Sequence, residues 1–287
     1  RSVATAEGLT IKVIRDKDLL KQNFPRAYEV GKGSTRRQRL IDMHWGNAKH
    51  PKITLVGKGV CFDTGGLDIK PSSGMYTMKK DMGGAAHVLG LAMLIIRHKL
   101  PIRLRVIIPA VENSISGESY RPSDIIHSRK GLTVEVGNTD AEGRLILADA
   151  LTLACEDKPA LLIDFATLTG AARVATGMDI PPIFSNNEKL AFALKDAGVE
   201  NEDILWPLPL HQGYRKEIAS SIADICSTGG KAGAITAALF LETFVSGTEW
   251  VHIDLSAWEE GGKPGRSIGG TEMGSRAVFS YLQKRFC

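Results

Sequence analysis

Short runs rich in β-branched residues alternate along this chain with longer stretches of helical periodicity, and glycines gather in the turns that follow the short runs. This alternation restricts the fold more than any single motif, because successive parallel strands need crossover helices, and those helices cover the sheet faces. It predicts an α/β fold: a three-layer sandwich whose mostly parallel, mixed central sheet is covered by helices on both faces. The expected strands are Arg39 to His44, Ile53 to Lys58, Arg103 to Val111, Thr133 to Val136, Leu161 to Phe165 and Trp250 to Leu255. The expected helices are Gly83 to His98, Arg144 to Cys155, Glu188 to Ala197, Gly233 to Val245 and Gly274 to Arg285. The helix after Gly143 has the clearest signature, with Leu145, Leu147, Ala148, Leu151 and Ala154 on overlapping apolar faces. At 287 residues, with no internal repeat and no linker rich in Pro, Gly or Ser, the chain is expected to form a single domain over 1–287.

Several function classes lose support at once. The most apolar stretch, Leu89 to Ile96, runs into Arg97, His98 and Lys99, well short of a bilayer span, so no membrane association is expected. The net charge of +4 is spread along the chain, which does not favour nucleic acid as a partner. The densest basic run, Arg36, Arg37 and Arg39 after Lys32, reads as a solvated loop. Cys61, Cys155, Cys226 and Cys287 are far apart and form no C-x-x-C pair, which fits a reducing cytoplasm. The first residues, Arg1 to Glu7, lack both an initiating Met and the apolar block of a secretory signal, and read as a cut or processed start.

Ligands of open α/β sheets bind outside the carboxyl ends of the strands, where glycine lets the backbone approach closely. Three loops at that edge are rich in charge. The first, from Val56 to Pro71, holds Lys58, Asp63, Asp68 and Lys70 and lacks the glycine spacing of a phosphate-binding P-loop. The second, Met78 to Gly84, opens a helix, so Asp81 taken alone reads as its cap. The third, Asn138 to Arg144, carries Asp140, Glu142 and Arg144 in five residues, more than capping needs. Convergence of Asp63, Asp81, Asp140 and Glu142 would leave mutually repelling carboxylates that divalent cations neutralise. Two bridged ions activate a water for hydrolysis. The seven histidines form no H-x-x-x-H pair and lie outside these loops, and no serine sits in a G-x-S-x-G elbow.

The stretches GKG, FDTGG, IKP, KKDMGGAA, NTDAEGRL and ATLTGA, in that order and spacing, resemble the leucyl (cytosol) aminopeptidase family. The resemblance is tight from about Ile53 to Gly170 and looser through Gly233 to Leu241 and Trp250 to Asp254. It implies a metal-dependent aminopeptidase that hydrolyses the N-terminal peptide bond of peptides through two bridged divalent metals and an activated water. Zinc or manganese would fill the pair of sites in each subunit, with magnesium or cobalt as further candidates. One metal would be held by Asp63, Asp140 and Glu142, with a backbone carbonyl at Asp140, and the other by Lys58, Asp63, Asp81 and Glu142. A neutral lysine is an unusual ligand; burial beside two dications is expected to lower its pKa, whereas the residue read alone favours a salt bridge.

The resemblance further implies that the substrate's free α-amine binds at the lysine-bearing metal, that Lys70 offers positive charge to the developing oxyanion, and that Arg144 anchors a bicarbonate ion that shuttles a proton. An ion pair of Arg144 with Asp140 or Glu142 is the plainer alternative. Thr167, Leu168 and Gly170 match the family's substrate-binding stretch, and Met78 matches a wall of the first side-chain pocket, although a lone Met is more often core. Such pockets favour apolar residues. The sequence departs from the family's usual Ala-Gly pair after the last strand, reading Asp254-Leu-Ser-Ala257. Membership also implies a homohexamer in the cytoplasm and an additional amino-terminal domain outside this chain. Two rival readings remain at this point: a two-metal hydrolase of phosphate esters, and a DNA-binding regulatory member of the same family.

Overall fold

The computed structural model describes residue 5 and residues 7–287, so most of the stretch that reads as a processed start lies outside it. Among the described residues, nine strands form one sheet. In chain order they are β1 (Thr10–Arg15), β2 (Arg39–Trp45), β3 (Lys52–Gly57), β4 (Gly59–Asp63), β5 (Arg103–Asn113), β6 (Leu161–Ala166), β7 (Pro182–Ser185), β8 (Trp206–Pro207) and β9 (Trp250–Asp254). Their spatial order is β1-β2-β5-β3-β6-β9-β7-β8, with β4 paired to the far end of β5. The central run β5-β3-β6-β9 is parallel, whereas β1, β2 and β7 join antiparallel.

The helices longer than one turn are α1 (Lys17–Lys21), α2 (Pro25–Gly31), α3 (Gly83–Arg97), α4 (Glu142–Glu156), α5 (Gly170–Thr176), α6 (Glu188–Glu200), α7 (Gly233–Glu242) and α8 (Ser275–Phe286), with a single turn at Ser72–Met75. Alternation along β3 divides the core: Ile53 and Leu55 face one helical layer, and Val56 faces the other. The first layer is α3, α6 and α8, packed through Val88, Leu91, Leu194 and Leu282. The second is α2, α4 and α7, packed through Val30, Leu147, Leu151 and Phe240. Helix α4 is enclosed on almost every side, from Glu142 to Leu151 without a break, which explains its apolar character beyond a single stripe. Each of its buried leucines contributes roughly 1.5–3 kcal/mol, enough to hold a charged first turn at a fixed place.

All six expected strands and all five expected helices are present, with bounds shifted by up to three residues. The strand Thr133–Glu135 stands apart from the main sheet, in a small sheet with Ile125–His127 and Ile225–Cys226. No helix among the described residues is long and apolar enough to cross a membrane.

Candidate metal centre

The charged loops meet at the carboxyl ends of the parallel strands. Lys58 follows β3, and its backbone is fixed from two sides: its N–H donates to Phe165 O (3.0 Å), and its carbonyl accepts from Ala85 N (2.8 Å) in the first turn of α3. That turn comes so near because Gly84 has no side chain; a Cβ there would lie 2.0 Å from Phe165 O. The Lys58 side chain is buried at 3% exposure. Its Nζ donates to Thr167 O (2.8 Å) and lies 3.0 Å from Asp81 Oδ2 and 2.8 Å from Glu142 Oε1.

Asp63 ends β4. Its Oδ1 accepts from Gly65 N (2.8 Å) and Asn113 Nδ2 (2.9 Å), and its Oδ2 is 3.0 Å from Lys70 Nζ. Lys70 returns to the site because Gly65 and Gly66 take φ of +89° and +67°, a left-handed turn that glycine adopts without strain. The same ammonium is paired with Asp140.

Capping does not account for the other carboxylates. The residue that caps α3 is Met82, with no side-chain bond, while Asp81 Oδ1 accepts from Thr167 Oγ1 (2.7 Å). In the third loop Asn138 does the capping, accepting from Asp140 N (2.7 Å) at the short turn Thr139–Ala141. Asp140 and Glu142 are thereby left facing Asp63, and ligand atoms of these three lie within 4.8 Å of one another.

Burial, then like charge from Asp63 and Asp81, raises the Glu142 carboxyl well above its ordinary range. Asp81 and Asp140 are raised for the same two reasons, with Lys58 and Lys70 opposing. Burial pushes the Lys58 amine down, as the sequence leads one to expect, but Asp81, Glu142 and Asp63 outweigh it. Without ions the amine is thus held above its ordinary pKa, in the salt bridges expected of the residue read alone. Four carboxylates face two ammonium groups here. Both oxygens of Glu142, Oδ2 of Asp81 and Oδ1 of Asp140 are buried without an aligned hydrogen bond. Lys58 and Lys70 lie against three of these oxygens, but two ammonium groups leave the charge of four buried carboxylates only half met, so the donor set fits divalent metal.

A cavity of about 370 Å³ opens above the cluster, and Met78, Arg144, Thr167, Leu168 and Gly170 line it as expected. Arg144 is buried. Its Nη1 donates to Ser227 O (2.7 Å), its Nε has no partner, and among the described residues no carboxylate lies within ion-pair distance, which removes the plainer alternative. Burial lowers its pKa to about 10, against the charges of Asp254 and Glu142.

Several residues with no role expected from sequence also shape the site. Asp254, at the end of β9, accepts from Leu168 N (3.0 Å), Thr169 N (3.1 Å) and Thr169 Oγ1 (2.7 Å), and so fixes the loop after β6. Asp68 holds Thr139 through its N–H (2.7 Å), and Asn113 and Tyr120 donate to Thr139 O. Lys80 and Arg173 line the cavity as well. The only sequence signal for Asp254 was its place at a strand end beside an unusual Leu-Ser-Ala stretch. Ala257 in that stretch takes φ of +52°, the left-handed region that favours glycine.

Comparison with known proteins agrees with this geometry. The model of the cytosol aminopeptidase family, catalytic domain, matches residues 1–279. A probable cytosol aminopeptidase of Syntrophotalea carbinolica is 46% identical over 289 residues, covering 99% of this chain and 58% of that protein. One from Geobacter sulfurreducens is 42% identical over 281 residues, covering 96% and 57%. The crystal structure of the cytosol aminopeptidase of Coxiella burnetii superposes with a TM-score of 0.97 at 53% identity, over 100% of this chain and 63% of that one. The bottromycin maturation enzyme BotP, in complex with Mn, superposes at 0.95 with 34% identity, over 100% and 65%. The chain thus spans less than two thirds of the length of these relatives. By the extent of the family match and the identity to its relatives, it belongs to the cytosol aminopeptidase family, as the catalytic domain.

Proposed function

We propose that this chain is a metal-dependent aminopeptidase that hydrolyses the N-terminal bond of peptides. The observation that carries the proposal is the meeting of Lys58, Asp63, Asp81, Asp140 and Glu142, from separate loops, around buried oxygens that lack aligned hydrogen bonds. Asp63, Asp140 and Glu142 would hold one divalent ion, and Lys58, Asp63, Asp81 and Glu142 a second, with zinc or manganese the leading candidates. Two ions in such a site lower the pKa of a water and polarise a carbonyl. The Asp81 and Lys58 side of the cavity would take the free α-amine, a group that internal peptide bonds lack. Thr167, Leu168 and Gly170 lie along the substrate, and Met78 forms the wall beside its first side chain.

Lys70 is placed to offer positive charge to an oxyanion near Asp63 and Asp140. Arg144 keeps buried donor capacity toward the cavity, which fits a small anion such as bicarbonate, and a guanidinium does not itself serve as a base. A homohexamer belongs to the same reading, as does a place in the cytoplasm, which the naming of the relatives supports.

The test is hydrolysis of aminoacyl amides after chelation and separate readdition of zinc, manganese and cobalt. Activity should vanish on chelation, return with at least one metal, and be absent in Asp140→Asn. Hydrolysis indifferent to chelation, or release of phosphate from esters in place of free amino acid from amides, would overturn the proposal.

A further inference from the structure

The cavity holds two cations that neither the metal centre nor the fold employs. Lys80 ends the short turn Met78–Lys80 that also carries the Met78 wall, and Arg173 lies one turn into α5. Among the described residues, neither side chain donates a hydrogen bond or comes within 4 Å of a carboxylate. Lys58 and Lys70 are committed to the carboxylates of the cluster, whereas Arg144 donates Nη1 to Ser227 and is the buried cation already assigned to a small anion. The Arg173 side chain is exposed at the edge of the cavity, with Nη2 3.5 Å from where a Cβ on Gly170 would stand.

Lys80 lines this cavity and also the neighbouring one beside Trp258, and the charges acting on its amine are those of Asp81, Lys58, Arg173 and Asp254. The neighbouring carboxylates do not neutralise it. Asp81 is engaged by Thr167 and Lys58, and Asp254 by three donors of the loop after β6. The partly buried Lys80 ammonium, with no anion against it, is costly unless the ligand supplies one, and the exposed Arg173 adds positive charge near it.

Resting on the aminopeptidase reading, we infer that the pocket for the first residue's side chain selects a carboxylate, so that the preferred substrates begin with aspartate or glutamate. Lys80 adjoins Asp81 and is acted on by Lys58, on the side where that reading puts the α-amine, and Arg173 is near enough to act on the Lys80 amine. The group within reach is therefore the side chain attached to the bound amine. Met78 and Leu255 line the same cavity and suit the methylene stem, while Lys80 and Arg173 meet its charged end. This reverses the apolar preference expected from sequence. A site built around unpaired charge rejects an isostere that lacks the complementary charge more strongly than an apolar pocket rejects a change of shape.

The experiment compares glutamyl, glutaminyl and leucyl p-nitroanilides on the metal-loaded protein. These substrates have no terminal carboxylate, so a preference cannot arise from the far end of a short peptide. The expected result is a kcat/KM at least about tenfold higher for glutamyl than for glutaminyl, weakening as salt is added. Lys80→Met should shrink that ratio about tenfold, and Arg173→Met, more exposed, severalfold. Calorimetry should show free glutamate binding more tightly than glutamine to the wild type, with the difference lost in Lys80→Met. Equal rates for glutamyl and glutaminyl substrates, or an unchanged ratio in Lys80→Met, would overturn this inference while leaving the aminopeptidase reading in place. No hydrolysis of any of the three would sink both. A preference that appears only with free dipeptides would assign the cations to the terminal carboxylate and also overturn it.

Discussion

Replacing Gly143 with alanine separates the chemistry of the centre from the stability of the fold. A Cβ at this position would stand 2.6 Å from Lys58 Cε and 2.7 Å from its Nζ. Ordinary carbon contact begins near 3.4 Å, so the end of the lysine must retreat by the difference, about 0.8 Å. An exposed lysine would swing aside at little cost. This one is buried, tied to Thr167 O at 2.8 Å and flanked by Asp81 and Glu142, so the retreat is paid in alignment at all three. A hydrogen bond to a charged group contributes roughly 1.5–3 kcal/mol, and a misplacement of about 1 Å at a reacting centre costs on the order of 10²-fold in rate. In the opposite direction, alanine in a helix is favoured over glycine by roughly 0.5–1 kcal/mol, and Gly143 is the second residue of α4. The variant should therefore melt within a few degrees of the wild type, bind zinc more weakly in competition with a chromogenic chelator, and hydrolyse a leucyl amide about 100-fold more slowly. Wild-type metal affinity and rate in a folded Gly143→Ala protein would refute the placement of Lys58 in the centre.

Asp254→Ala removes the acceptor of three hydrogen bonds to Leu168 and Thr169 and should raise KM for aminoacyl amides about tenfold, with Asp254→Asn recovering part of the loss; steady-state kinetics checks both. Asp140→Asn should abolish hydrolysis. Asp68→Asn, which keeps an acceptor for Thr139 N, should retain much of it, and Asp68→Ala should fall between the two in the same assay. Asp42 illustrates acid sensitivity away from the site: burial works against its charge, but His44 and Arg105 hold its pKa down to about 2. A depressed carboxyl stabilises the fold above its unfolded value near 3.8 and loses that contribution as pH falls through about 2. Asp42→Asn should thus cost about 2 kcal/mol in urea denaturation at pH 7, with the gap from wild type closing between about pH 4 and pH 2.

The frame was legible because its central strands are buried on both faces and read as apolar runs, as Leu161 to Phe165 does. The elements that escaped notice fail that test. Strand β1 interleaves Lys12 and Arg15 with Ile11 and Val13 at the sheet edge, and β4 begins only one residue after β3 ends, so the two read as one run through Lys58. The candidate carboxylates Asp140 and Glu142 were legible because their loop carried more charge than capping uses, whereas Asp81, which alone reads as a cap, was picked out by the resemblance. Asp254, Lys80 and Arg173 were not, since one charged residue at a strand end or in a helical turn has no local mark of function. Only the fold brings Asp254 of β9 beneath the loop of Leu168, or Arg173 of α5 to the edge of the cavity that Lys80 lines.

The centre opposes the stability of the fold that carries it. Four carboxylates against two ammonium groups, largely removed from water, leave uncompensated negative charge, and the raised pKa values of Asp81, Asp140 and Glu142 express that cost. Such a cluster persists only where its members cannot move apart. Lys58 is locked between β6 and the first turn of α3 by backbone bonds, Asp63 is held by Asn113, and Glu142 opens a helix enclosed by the second core. The packing of the sandwich therefore keeps the carboxylates in a geometry they would not choose alone, so that arriving cations would find them in place and would have only to displace the Lys58 proton and the Lys70 ammonium.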